Sequence, residues 1–217
     1  MDAMSDASQP RWRRRKTARP SEIAEAAFEV FAEKGFAAAR LDEIAARAGV
    51  SKGALYLYFE TKEELFRAAV SQAVAPNLQS IAAMADAYSG PFAELAPVIL
   101  WRLAVITSTT RIPAVAKTVI GESRNFPDLA MVWHDTVVSP ALGMIAGVIA
   151  RAQARGEVKP GEPRLYALSL VGPMLAGFLW REVLVPVGAE PIDALALAEQ
   201  HARTVLYGML APPAAAP

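Results

Sequence analysis

A chain of 217 residues with 53% apolar side chains can bury the core of one large or two modest domains, and the absence of cysteine excludes disulfides and thiolate chemistry. The two histidines, His134 and His201, stand alone in the sequence, and there is no phosphate loop or activated-nucleophile setting, so nothing points to catalysis, a metal or a cofactor. The formal net charge is zero but unevenly placed: residues 11–62 hold eleven Lys/Arg against seven Asp/Glu, and residues 63–217 hold eleven against thirteen.

Residues 1–10 are polar, and residues 11–19 (RWRRRKTAR) carry six cations in nine positions. Such a run cannot bury itself. Residues 1–18 are expected to form a disordered basic arm, either solvated or reaching toward DNA. The first twenty residues are polar and basic and contain no apolar segment of the kind a secretory signal carries, so no such signal is expected there. Helix 1 should start near Pro20, with Ile23, Ala27, Val30 and Phe31 as its inner stripe. Gly35 should close it, with Phe36 folding back.

Residues 41–48 read as a short helix with Ile44, Ala45 and Ala48 on its inner side. Gly49 can take the left-handed backbone of a sharp turn, and Val50 fills the corner. Ser51 is an N-cap for the next helix, on which Leu55 and Phe59 face inward with Ile44. Two helices joined in this way form a helix-turn-helix, whose second helix enters a DNA major groove. Arg40, ahead of the first of them, is a poor cap and repels the helix dipole, so its expected use is a phosphate contact. Thr61-Lys62-Glu63-Glu64 reads as a capping box that starts helix 4, which runs to about residue 88 and can bend at Pro76.

Further helices are expected near 91–107, 112–123, 127–155, 163–185 and 191–210, with Pro140 kinking the third. No alternating strand pattern occurs, so the fold class is all-α with about nine helices. The longest uncharged run, 165–180, has sixteen residues with Ser169, Gly172 and Pro173 inside, short for a membrane span. A buried helix, a cytoplasmic protein and no membrane partner are expected. In 163–185, Leu165, Leu168, Gly172, Leu175 and Leu179 line one face and Tyr166, Leu170, Met174 and Phe178 another. A helix apolar on two faces needs two partners, the second being a copy of the chain or another part of the same subunit. Ile192, Leu195, Ala202, Leu206 and Met209 are expected to give the last helix a matching stripe. Residues 211–217 (APPAAAP) should be a disordered tail.

The run Ile44-Ala45-x-x-Ala48-Gly49-Val50-Ser51-x-Gly53-x-Leu55-Tyr56-x-Tyr58-Phe59-x-x-Lys62-x-x-Leu65 resembles the signature of the TetR (tetracycline-repressor-like) family of transcriptional regulators. The resemblance covers roughly residues 19–70. It implies a DNA-binding head (19–62), a helical effector-binding and dimerisation body (63–210), and a homodimer through 163–185 and 191–210. It further implies a repressor of a near-palindromic operator, released by a small effector. The other reading kept open is a ligand-blind regulator or adaptor with the same fold.

The expected DNA-binding residues are Arg40, Ser51, Lys52, Gly53, Tyr56, Leu57, Tyr58 and Lys62. Ser51, Lys52 and Gly53 open a helix whose first N–H groups suit phosphate. Gly53 allows close approach, Tyr56 offers a ring and a hydroxyl, and Leu57 can meet a thymine methyl. Tyr58 and Lys62 match family positions that touch the backbone. For an effector, large apolar residues with a few polar ones are the candidates: Trp101, Phe126, Trp133, His134, Met174 and Phe178, with Arg102, Met131 and Trp180 beside them. With no cationic cluster among them, the expected effector is hydrophobic and mostly uncharged.

Overall fold

The computed structural model describes residues 20–212, so the basic arm at 1–18 and the tail from 213 onward lie outside the described residues. Helix α1 (Pro20–Ala38) buries Ile23, Ala27, Val30 and Phe31 completely. Gly35 takes a φ of 80°, which breaks the helical path and turns Phe36 back into the core. There Phe36 lies 5.5 Å from Phe31, 5.6 Å from Phe66 and 5.2 Å from Phe126, ring centre to ring centre. These edge and offset contacts fasten α1 to α4 (Lys62–Ala87) and to the residue ahead of α7.

The remaining helices are α2 (Leu41–Arg47), α3 (Lys52–Tyr56), α5 (Phe92–Thr109), α6 (Ile112–Glu122), α7 (Pro127–Ala154), α8 (Pro163–Val187) and α9 (Ala194–Met209). The described chain is all-α, and its one β-bridge joins Val158 to Leu210. Beside that bridge the Ala211 N–H donates to the Glu157 carbonyl at 2.9 Å, so the expected loose tail does not begin at 211.

Two apolar cores fill the molecule. The first joins α1 to α3, the first half of α4 through Val74, Val115 and Val119 of α6, and Leu129 and Val132 of α7. The second joins Ile81 and Ala85 of α4 to α5, the later part of α7, α8 and α9. Two helices therefore serve both cores, and at the changeover one carries a proline and the other a π turn. In α4, Pro76 falls between Val74 and Ile81. In α7, a π turn at His134–Val138 falls between Val132 and Ile145.

That π turn is the answer of the helix to Pro140. Proline has no N–H and its ring crowds the carbonyl four residues back. The Ser139 N–H instead bonds the His134 carbonyl, five residues back, and the helix continues. The same device recurs in α8, where the Val185 N–H bonds the Trp180 carbonyl just before Pro186. At Pro140 the helix thus changes the register of its hydrogen-bond ladder.

Three helices (Phe92–Thr109, Pro127–Ala154 and Pro163–Val187) are long and apolar enough, by length and composition alone, to cross a membrane. Their apolar faces supply the second core and an exposed surface on α8.

The link between α7 and α8 is held by Glu157. Its carboxylate accepts from Arg155 Nε at 2.6 Å and from the Phe92 N–H at the start of α5 at 2.6 Å. The Arg155 bond, then the amide, hold this carboxyl below the usual glutamate range. A depressed folded-state value gives stability that is fully present above the ordinary glutamate value and is lost as pH falls through the lowered folded value. Glu157→Gln should therefore melt below the wild type at about pH 7, with the gap closing as pH falls through that lowered value. Melts followed from neutral into acid pH test this, and a pH-independent gap would contradict it.

Candidate nucleic-acid interface

The turn between α2 and α3 is set by backbone geometry. Gly49 has a φ of 71°, the Val50 N–H bonds the Ala45 carbonyl at 2.9 Å, and the Gly49 N–H bonds the Ala46 carbonyl at 3.1 Å. This is the paired bonding of a Schellman motif, and it places Val50 against the first core. Ser51 then caps α3, its Oγ accepting from the Ala54 N–H at 3.1 Å. Leu55 is fully buried and Phe59 nearly so, which fixes which side of α3 faces out.

The outward side is Ser51, Lys52, Gly53, Tyr56, Leu57 and Tyr58, all exposed, with Leu57 83% accessible. The helix ends at Tyr56, so Leu57 and Tyr58 project from its final turn. A methyl group added at Gly53 would meet only Ser51 Oγ, at 4.0 Å, and its φ is not left-handed. Nothing inside the protein requires glycine there. We expect Gly53→Ala to leave folding stability unchanged or raise it by up to about 1 kcal/mol, while DNA affinity falls. Equal affinity of the two forms in a gel shift would show that no backbone of DNA comes close at this point.

Arg40 and Lys62 sit differently from the others. Arg40 makes no side-chain cap, and α2 has none. Its guanidinium grips Asp42 with contacts of 3.2 and 3.1 Å, which holds the Asp42 carboxyl below its usual range. The pair remains exposed at the edge of the same surface. Lys62 turns inward: its Nζ donates to the Ala37 carbonyl at 3.3 Å and lies 4.6 Å from the centre of the Phe36 ring. Burial pushes its ammonium below the usual lysine value. Lys62 thus ties the start of α4 to the end of α1, where the sequence suggested a cation free for phosphate. Thr61 Oγ1 accepts from the Glu64 N–H as expected, but Glu64 reaches back one residue further, to the Glu60 N–H at 2.9 Å.

Sequence reasoning missed the ionic lattice behind this surface. Glu33 of α1 holds Arg47 of α2 through two bonds of 2.9 and 2.7 Å, and Lys34 holds Glu43 at 2.7 Å. Arg111, ahead of α6, reaches Glu29 at 3.0 Å and Glu33 at 3.7 Å. Glu122, at the other end of α6, accepts from the Ala37 N–H at 2.7 Å. Helix α6 therefore touches the head at both of its ends. Contacts between residues 9 to 85 positions apart leave no local pattern to read.

The expected effector residues do not converge on one site. Phe126 and Trp133 pack on the first core, and Met174 and Phe178 are buried. His134 is exposed, its Nδ1 2.8 Å from Asp135 Oδ1. Met131 borders a shallow hollow beside Glu63 and Arg67. Trp180 donates its Nε1–H to the Glu190 carbonyl at 2.8 Å. Trp101 and Arg102 do border a cleft, of about 380 Å³ between α4 and α5, together with Asn77, Ser80, Ile81 and Thr110.

On α8, Leu170, Met174 and Phe178 are buried while Leu165, Leu168 and Leu175 stay exposed, so one expected face is core and the other is open. The stripe expected on α9 divides: Ala202, Leu206 and Met209 belong to the second core, and Ile192 and Leu195 are exposed. The open face of α9 otherwise carries Glu199, Arg203 and Tyr207.

Family models match both parts of the chain: bacterial regulatory proteins of the tetR family at residues 23–69, and the tetracyclin repressor-like C-terminal domain at residues 98–202. The uncharacterized HTH-type transcriptional regulator YerO of Bacillus subtilis (strain 168) is 49% identical over 47 residues, 22% of this chain and only 16% of that protein. The HTH-type transcriptional repressor BepR of Brucella suis biovar 1 is 27% identical over 193 residues, 86% of this chain and 90% of that one. The crystal structure of the transcriptional regulator FadR from Bacillus subtilis in complex with stearoyl-CoA shares the fold, with a TM-score of 0.72 at 19% identity over 88% of this chain and 99% of that one.

Proposed function

Since the chain belongs to the TetR family of bacterial transcriptional regulators, we propose that it works as a homodimeric repressor of a near-palindromic operator, released by a small effector in its helical body. The observation that carries this reading is the orientation of α3. Leu55 and Phe59 anchor it from behind while Lys52, Gly53, Tyr56 and Leu57 face solvent. Lys52 and the Tyr56 hydroxyl suit phosphates, Gly53 brings the helix start close, and Leu57 and Tyr58 supply apolar contact at the groove wall. Arg40 can exchange Asp42 for a phosphate at the edge.

The exposed leucine face of α8 supports pairing of two copies, which presents two α3 helices to successive turns of one DNA face. The stearoyl-CoA bound by the B. subtilis FadR and the cleft between α4 and α5 both favour an effector over a ligand-blind regulator. Binding chromosomal DNA would place the protein in the cytoplasm.

Sequencing the DNA that co-purifies with the protein tests the reading. The expected result is an inverted repeat whose half-sites are separated by about one helical turn. It should be bound at least ~1,000-fold more tightly than random DNA at fixed salt. Equal affinity for random DNA would refute it.

A further inference from the structure

We infer that the α4–α5 cleft binds a small amphiphilic carboxylate, with Arg102 as the anion partner. This deepens the effector reading above and rests on it only for the consequence at the DNA. The walls are apolar, formed by Ile81, Trp101, Val105 and Ile106, and the volume of about 380 Å³ lies at the small end of ordinary ligand sites. The polar groups on the rim are mostly committed. Thr109 and Thr110 donate to the Val105 and Ile106 carbonyls at 2.8 and 2.7 Å, and Asn77 donates to the Ala73 carbonyl at 3.1 Å.

Arg102 is different. It is half-buried, and among the described residues no carboxylate pairs with it and its only side-chain bond is a long 3.5 Å contact to Ser80 Oγ. A guanidinium carries five N–H donors and accepts nothing. A neutral apolar guest lying over it would strip water from an unpaired charge, which is costly. A carboxylate removes that cost and matches the fork geometry with two parallel bonds. A phosphate monoester would bring nearly two charges against one cation. The effector expected from sequence to be uncharged is therefore read as a monoanion with an apolar body.

The position suggests how a guest would be felt. Asn77 follows Pro76, where α4 passes from one core to the other. Thr110 precedes Arg111, whose guanidinium holds Glu29 and Glu33 of α1. A wedge in this cleft bears on both connections to the head.

The test uses the full chain and isothermal titration with decanoate and decan-1-ol, each below its aggregation concentration. Decanoate should bind about tenfold tighter or more, the size of one charge-assisted pair. Arg102→Gln should erase that preference with an unchanged thermal melt, while Arg124→Gln, a remote exposed cation, keeps it. Val105→Trp, which fills the cleft, should weaken both ligands. Equal binding of acid and alcohol by the wild type, or a preference that survives Arg102→Gln, overturns the inference. Adding decanoate to the complex with the recovered DNA then separates the two readings. Arg102-dependent binding without DNA release would keep the site and refute its role as effector site.

Discussion

Leu168→Glu combined with Leu175→Glu should turn the proposed dimer into a folded monomer and lower operator affinity by about 100-fold or more. The two leucines are seven residues apart, two turns along one face of α8, and are 49% and 45% exposed. The opposite face of the same helix holds Leu170, Met174 and Phe178 in the core, so the substitutions do not touch the fold of the subunit. In the proposed dimer a two-fold axis beside α8 would place each leucine in the interface twice. Burying each is worth about 1.5–3 kcal/mol, and four carboxylates in their place would have to be buried unpaired. A monomer engages one half-site only and loses the second, now intramolecular, binding step. Analytical ultracentrifugation reads the assembly, circular dichroism the fold, and gel shifts the affinity. A variant that remains dimeric would move the interface off this face.

The head was largely legible in the sequence because its turns are decided locally. Gly49 needs a left-handed φ, Ser51 and Thr61 each cap from within three residues, and Leu55 and Phe59 lie one helical turn apart. What escaped reading was decided by distant parts of the chain. Lys62 looks like a free cation until α1 brings the Phe36 ring and the Ala37 carbonyl beside it. Phe126 looks like a pocket aromatic until it meets Phe36, ninety positions earlier. Periodicity found the apolar stripe of α9 but could not say whether its partner was this subunit or another, and most of it went to the second core. The prolines at 140 and 186 were visible. Their absorption by a shift to i→i−5 bonding was not, since a kink satisfies the same residue type. Arg102 was visible as well, but only the packing of α4 on α5 leaves it without a carboxylate in an apolar cleft.

Lys52→Ala should flatten the salt dependence of operator binding, and Tyr56→Phe should weaken binding without changing that dependence. Each phosphate neutralised by a cation contributes about 0.9 to the slope of log affinity against log salt. One lysine per subunit in a dimer therefore accounts for roughly 2 of that slope. Removing it costs much at low salt and little at high salt. The Tyr56 hydroxyl releases no counterion. Two lost hydrogen bonds per dimer at about 1 kcal/mol each amount to roughly thirtyfold at every salt concentration. Both side chains are exposed, so neither change should alter folding stability by more than about 0.5 kcal/mol. Gly53→Ala gives the third pattern, weaker binding with the slope intact through loss of close approach. A titration of all three variants from about 50 to 200 mM salt therefore identifies which side chain meets charge. A Lys52→Ala slope equal to that of the wild type would place the phosphate contacts elsewhere on the head, with Arg40 as the next cation on this surface.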